Sequence, residues 1–397
     1  MKTKTLTRRQ FLIGAATLMG SAALHPLHRV FEIPPGQFPD DPSNLYLPFV
    51  ARTPDHPPLG KVIHVRSTGA THWQGEKDFW NHVDQNVVNT MVEQGLKALT
   101  GYDTLAEAWR ALIPSYRSGQ KIAIKVNFNN TSTCTDIDGV IDGIIEPVNA
   151  LVVGLEQIGV ARSDICVYDA IRTLPARFTS RALSGISFYD GSYQGNCQNS
   201  AGFSYQSDAY IPFHPPPGVS MPSEVVTDVL RNATYLINMP IMKGGHPIAG
   251  VSLGFKNHFG TIDNPGVLHT YINVVQKPPG YRTDYNPLVD IYRSQHIGPK
   301  TVLTVGDGLF AAIDFAGAPQ TWSTFGNQLP NSLFFSIDPV AIDCVMHDFI
   351  AAQPGTNIPS GANNYLILAA NAGLGVFETI NPWSGSYSFI DYRSVNI

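Results

Sequence analysis

Five short apolar runs that each stop at a polar residue constrain this chain more than anything else in it. They cover residues 121–128, 165–168, 235–239, 301–305 and 333–337, have strand length, and are rich in β-branched and aromatic side chains. Helical signals lie between them. Glu146-Pro147 opens a helix predicted to run through Ile158 and stop at Gly159, and Asp338 is placed to cap another over Val340 to Ala351. Alternation of strand and helix implies a parallel sheet with right-handed crossovers. The predicted fold is α/β: a mainly parallel sheet with helices on both faces and two long loop insertions, Gly185 to Gly218 and Asn264 to Pro299, where periodicity is lost. Lys61 to Arg66 adds an extended segment, and Asp84 and Thr104 are placed to cap two packing helices.

The polar residues that end these runs define the predicted site. Asn127, Asp169, Lys243, Asp307 and Asp338 all fall at or just beyond the carboxyl end of a predicted strand, the edge where open parallel sheets place their ligands. An aspartate there also serves as a plain helix cap or turn former, and that reading competes with the functional one at Asp338 above all.

Tyr235 to Asn264 is the densest stretch, YLINMPIMKGGHPIAGVSLGFKNHFGTIDN. A strand ends at Pro240, a connector carries Lys243, Gly244, Gly245 and His246, and Pro247 stands where a first helical residue is favoured. A helix is predicted over Ile248 to Phe259, closed by a left-handed Gly260. Such a strand, glycine turn and helix N-terminus offers free backbone N–H groups to an anion. Lys256, Asn257 and His258 sit at the far end. Neutralising a helix C-terminus would account for Lys256 and His258, but two lysines and two histidines in so small a unit are the kind of cluster that functional sites use.

The runs NMPIMKGGH and SLGFKNHFG resemble the core signature of the family named domain of unknown function 362, in which a P-x-x-K segment leads to a helix ending in K-N-x-x-G. The K-x-N strand at Lys125 and Asn127, the D-G at Asp307-Gly308, the D-P-V-A-x-D beginning at Asp338 and the closing helix before Gly373-Leu374-Gly375 are similar to it in order. The resemblance covers most of Lys61 to Gly375. It implies a fold and a strand-end site and no particular reaction.

The N-terminus carries an address. Thr7-Arg8-Arg9-Gln10-Phe11-Leu12 reads as a twin-arginine export signal, with Lys2 and Lys4 before it, an apolar start at Phe11 to Leu18, and small residues at Ser21-Ala22-Ala23 for cleavage. The apolar run is too short for a stable membrane span, so the expected product is periplasmic or extracellular and meets the twin-arginine translocase on its way out. The predicted division is a signal over 1–25, a proline-rich linker over 26–60 and an α/β domain over 61–397. The net charge of −5 includes the four basic residues of the signal, which leaves about −9 for the remainder, with no basic run for nucleic acid. Cys134, Cys166, Cys197 and Cys344 form no C-x-x-C pair, so no iron–sulfur cluster is expected.

Three functional readings follow. In the first, lysines and backbone N–H groups hold a small carboxylate or phosphate while His246 or an aspartate moves a proton, with Lys243, His246 and Lys256 as the predicted catalytic residues and Asn127, Gly244, Gly245, Asn257, Asp169 and Asp307 lining the ligand. In the second, aspartates with His246 or His258 hold a divalent metal. In the third, an exported module binds an anion or metal without turnover. Neither H-E-x-x-H nor G-x-S-x-G occurs, so metalloprotease and serine-hydrolase signatures are missing.

Overall fold

The computed structural model describes residues 58–131, 133–191 and 195–397. The export signal and nearly all of the linker lie outside the described residues.

Ten strands form one sheet. In chain order they are β1 (Lys61–Arg66), β2 (Ile122–Lys125), β3 (Ile165–Asp169), β4 (Ser187–Asp190), β5 (Asn199–Ser200), β6 (Tyr235–Asn238), β7 (Ile241–Lys243), β8 (Thr301–Ala312), β9 (Ser332–Ser336) and β10 (Asp391–Asn396). They lie in the order β10-β1-β9-β8-β6-β2-β3-β4-β5, with β7 paired onto the far half of β8. Every pairing is parallel except those of β9, which runs against both β1 and β8. All five predicted runs are strands of this sheet.

Alternation along the strands feeds two apolar layers. Ile122 and Ile124 of β2 enter one layer and Ala123 the other; Leu333 and Phe335 of β9 are likewise separated from Phe334. The first layer is closed by α1 (Gln85–Thr100), α2 (Leu105–Leu112) and α3 (Ile145–Glu156), which contribute Val88, Leu96, Trp109 and Leu151. Asp84 and Thr104 cap α1 and α2 as predicted. The second layer holds α5 (Asp228–Asn232), α6 (Gly254–Asn257), α7 (Pro287–Arg293), α8 (Pro339–Ala352) and α9 (Asn364–Asn371), with the one-turn α4 (Ala176–Thr179) lying earlier in the chain. Asn286 caps α7, inside the second predicted insertion, and β4 and β5 fall inside the first. Cys134 and Cys197 are joined in a disulfide, tying the loop after β2 to the segment after β4.

Two predictions at the strand ends need correction. Asp338 is not on the ligand edge, because β9 is reversed. Its carboxylate caps α8 through Val340 and Ala341 and also accepts from Gly60, just before β1, and from Val376. Asp307 is not at a strand end, because β8 continues to Ala312. Its Oδ1 accepts from the Leu309 N–H, and its electrostatic neighbour is Glu146 on α3.

The helix predicted over Ile248 to Phe259 starts only at Gly254 and tightens into a 3-10 turn over His258–Thr261. Residues 246–250 instead form a tight reversal in which the backbones of His246 and Gly250 exchange hydrogen bonds, with Gly250 at φ 78°. The helix begins where it finds a cap, and that cap comes from far along the chain. Asp343 of α8 accepts the N–H of Gly254 at 2.8 Å and of Phe255 at 3.1 Å, and Tyr365 donates to the same carboxylate. Pro247 is therefore not a first helical residue. Gly260 is not left-handed either: its φ is −74°, and its missing Cβ leaves room for Lys125 Nζ and Asp169 Oδ1, which a Cβ would meet at 2.5 and 2.7 Å.

Candidate functional site

Where β2, β6 and β7 end, the sheet carries a chain of buried amides and ammonium groups. Lys243 Nζ donates to Asn127 Oδ1 at 2.9 Å, Asn127 Nδ2 to Asn257 Oδ1 at 3.0 Å, and Asn257 Nδ2 to Asn238 Oδ1 at 2.8 Å. Asn238 then donates to the Gly254 carbonyl at 3.0 Å. Each amide is oriented by the donor before it, so the chain runs in one direction from Lys243 to the start of α6. Lys125 joins it from the last position of β2, donating to Asn257 Oδ1 at 3.1 Å and to Asp169 Oδ2 at 3.0 Å. Both members of that ion pair are buried. Asp169 accepts in addition from the backbone N–H groups of Phe128 and Ile171.

The three lysines differ in what surrounds them. Burial is the main force lowering the pKa of Lys125, with Asp169 opposing it. Lys243 is fully buried, bonded to a neutral amide, and lowered to about 8 by burial; Asp142 and Asp169 partly offset this, and Arg172 and Lys125 add to it. Lys256 is 8 % exposed and is lowered to about 7 by burial, then by the charges of Lys243 and Arg172. No carboxylate opposes that shift. Among the described residues Lys256 makes no hydrogen bond or ion pair, and its Nζ lies 4.5 Å from the centre of the Phe259 ring. Arg172, on the loop after β3, likewise has a buried Nε without a partner.

Two neutral histidines complete the mouth. Nδ1 of His246 accepts the N–H groups of Ile248 at 3.2 Å and Ala249 at 3.1 Å, so the ring proton sits on Nε2. Burial and then the charge of Lys256 push its pKa far down. His269 stacks on it with centroids 5.9 Å apart and meets Phe259 edge-on. Its Nδ1 donates to the Gly266 carbonyl at 3.1 Å, leaving the lone pair on Nε2, and burial lowers its pKa to about 4. The pair thus offers one N–H donor and one acceptor without a positive charge.

Asp142 is the carboxylate whose charge acts most on Lys243. Burial raises its pKa to about 7, against the pull of Lys243 and Arg177. Arg177 lies 3.7 Å from it and is stacked over Trp80, with neither terminal nitrogen hydrogen-bonded.

Of the residues singled out in the sequence, Asn127, Asn257, Asp169, Lys243, Lys256 and His246 lie in this one neighbourhood, and Asp307 does not share a hydrogen bond or ion pair with any of them. Gly244 and Gly245 pack closely on the Ile313 backbone, which a Cβ would meet at 3.1 and 2.7 Å, so their approach is to the chain itself. Lys125, Asp142, Arg172 and His269 were missed. Lys125 was open to discovery, since a lysine inside an otherwise apolar strand is expensive to bury without a purpose. The other three fall in segments without periodicity.

Among the described residues no group of three or more His, Cys, Asp and Glu side chains is arranged to hold a metal ion. The metal-holding reading therefore gains no geometric support. A cavity of about 540 Å³ opens beyond β3 and β4, lined by Ile171, Asp190, Tyr205 and Asp263 among others. Its charged lining is acidic and includes none of the three lysines, so it is separate from the cationic cluster. No described helix is long and apolar enough to cross a membrane.

No curated protein and no solved structure matches this chain. Residues 190–348, which run from the last residue of β4 through most of α8 and include Lys243, His246, Lys256 and Asn257, match the family model described as Domain of unknown function (DUF362), so this stretch of the chain is similar to that family.

Proposed function

We propose that this is an exported enzyme that takes a small carboxylate or phosphate between Lys243, Lys256 and Arg172. The observation that carries the reading is the amino group of Lys256. Leaving an ammonium buried without a partner costs several kcal/mol, and two further cations beside it raise that cost. A bound anion would relieve all three at once, in surroundings where screening is weak. The Nε2–H of His246 is a donor for charge developing on the substrate, and Nε2 of His269 is the free base. Binding without turnover would use the same cations. The complementary protonation of the two histidines favours an enzyme, because a passive anion site has no need of a base.

The test is thermal unfolding of the mature protein with acetate, phosphate and sulfate. A ligand that binds only the folded state raises the midpoint, and at a hundred times its Kd stabilises by about 2.7 kcal/mol. Lys256→Met, which removes the cost of the unpaired ammonium, should keep or raise the unliganded midpoint and lose the rise. An undiminished rise in that variant would sink the proposal.

Export through the twin-arginine pathway is part of the same reading. It is supported by the disulfide between Cys134 and Cys197, since such bonds persist in oxidising compartments. Replacing Arg8 and Arg9 together by lysine should hold the chain inside the cell, and unchanged export would refute the route.

A further inference from the structure

We propose that Lys256 is an amine nucleophile, and that the anion taken at this site also carries a carbonyl group, which Lys256 captures as a Schiff base. The inference rests on the anion reading above and goes one step further. A lysine that only recognises charge does best as a fixed ammonium with acceptors around it. Lys256 has neither. Its Nζ has no acceptor among the described residues, stands over the Phe259 ring, and is flanked by Lys243 and Arg172, whose charges favour its neutral form. Desolvation next to another cation is how an amine is made nucleophilic at neutral pH. Around pH 7 about half of such an amine is uncharged when its pKa is about 7, against less than about one part in a thousand for an ordinary lysine.

The surroundings divide the remaining work. The lone pair of neutral Nζ attacks the carbonyl carbon, a C–N bond forms, and the C=O π pair moves onto oxygen, which accepts a hydrogen bond from His246 Nε2–H and then a proton. Nitrogen gives up a proton, for which His269 Nε2 is an acceptor, and water leaves. Amine, carbonyl and one proton thus become a protonated imine and water. Lys243 and Arg172 hold the carboxylate or phosphate of the same molecule. The substrate class is therefore a keto acid, an aldehyde acid or a phosphorylated carbonyl compound.

Glyoxylate, the smallest aldehyde that carries a carboxylate, is the probe, with sodium borohydride to reduce any imine and peptide mass spectrometry to find it. At neutral pH Lys256 should be labelled roughly tenfold or more faster than the exposed Lys77 and Lys277. Acetaldehyde, which lacks the anion, should label it more slowly than glyoxylate does. Lys256→Arg keeps the charge and removes the nucleophile, so it should retain the thermal response to acetate and lose the adduct. If Lys256 is labelled no faster than Lys77 and Lys277 while acetate still raises the midpoint, the Schiff base is wrong and the anion site stands. Should acetate, phosphate and sulfate all leave the midpoint unchanged, both fall. Equal labelling of Lys256 by acetaldehyde and glyoxylate overturns the substrate class.

Discussion

Lys125 and Lys256 are both buried beside one polar network, yet the fold answers the charge of the first and leaves that of the second unanswered. On the β2 and β3 side, Lys125 meets Asp169 and Asn257, and Asp169 spends its remaining capacity on two backbone N–H groups. On the α6 side, Lys256 meets an aromatic ring and two more cations. The chemistry of the side chains is identical. What differs is whether the fold supplies the counter-charge or leaves it to be supplied from outside, and that difference separates scaffold from site.

The sharpest way to break the comparison is to remove each lysine in turn while keeping its apolar stem. Lys125→Met strands the buried Asp169 carboxylate and should cost about 3 to 5 kcal/mol in denaturant unfolding. Lys256→Met strands nothing and removes an ammonium that the fold does not pair, so it should leave stability undiminished or raise it. Lys243→Met belongs with Lys256, because its hydrogen-bond partner is the neutral Asn127. Equal losses for Lys125→Met and Lys256→Met would erase the distinction.

The disulfide offers a second, smaller perturbation of the paired side. Cys134 and Cys197 close 63 residues of chain, and the loop they hold after β2 includes Asp136 and Asp142. Replacing both cysteines by serine should lower stability by about 2 to 4 kcal/mol, most of it through the unfolded chain. The acetate response of Lys256 should survive. Losing it in a variant that still folds would mean that the loop, and Asp142 with it, forms part of the anion site.

How far the sequence foretold this contrast depends on the range of the interactions involved. Strands were legible because a buried parallel sheet needs continuous apolar runs, and the caps Asp84, Thr104 and Asp338 were legible because each acts on residues next to it. The direction of β9 was not, since a strand reads the same whichever way its neighbours run. The late start of α6 was hidden for a similar reason: its cap, Asp343, is 89 residues away along the chain. At the site, Lys243, Lys256 and Asn257 stood out as polar residues in apolar surroundings. Arg172, Asp142 and His269 belong to irregular loops whose place is set by the whole fold. Asp307 misled because local pattern showed where a strand begins and not that β7 and β9 would extend it to Ala312.

Proton linkage gives the gentlest test, because it changes no residue. The folded-state pKa of Lys243 is about 8 and that of Lys256 about 7, both below the ordinary value of 10.5, so the folded protein binds fewer protons than the unfolded chain between those limits. Stability contributed by these two groups therefore rises with pH across that window, from about 7 upward. An anion reverses the preference, since it binds the charged forms. Facing Lys243 are Asp142, Asp169, Arg172 and Lys125; facing Lys256 are Lys243, Arg172 and the neutral His246 and His269. Asp142, with its pKa near 7, gains a negative charge beside Lys243 over the same range and competes with the ligand. All of these effects act in one direction. Affinity for sulfate, whose own charge is constant there, should be flat from pH 5 to about 7 and then fall by up to about tenfold per unit per proton required. Capture of glyoxylate by Lys256 needs the neutral amine and should instead rise through about pH 7 before weakening anion binding limits it. Titration calorimetry with sulfate and borohydride trapping at matched pH would show whether the two curves cross, and sulfate affinity that does not decline above pH 8 would place the anion away from Lys243 and Lys256.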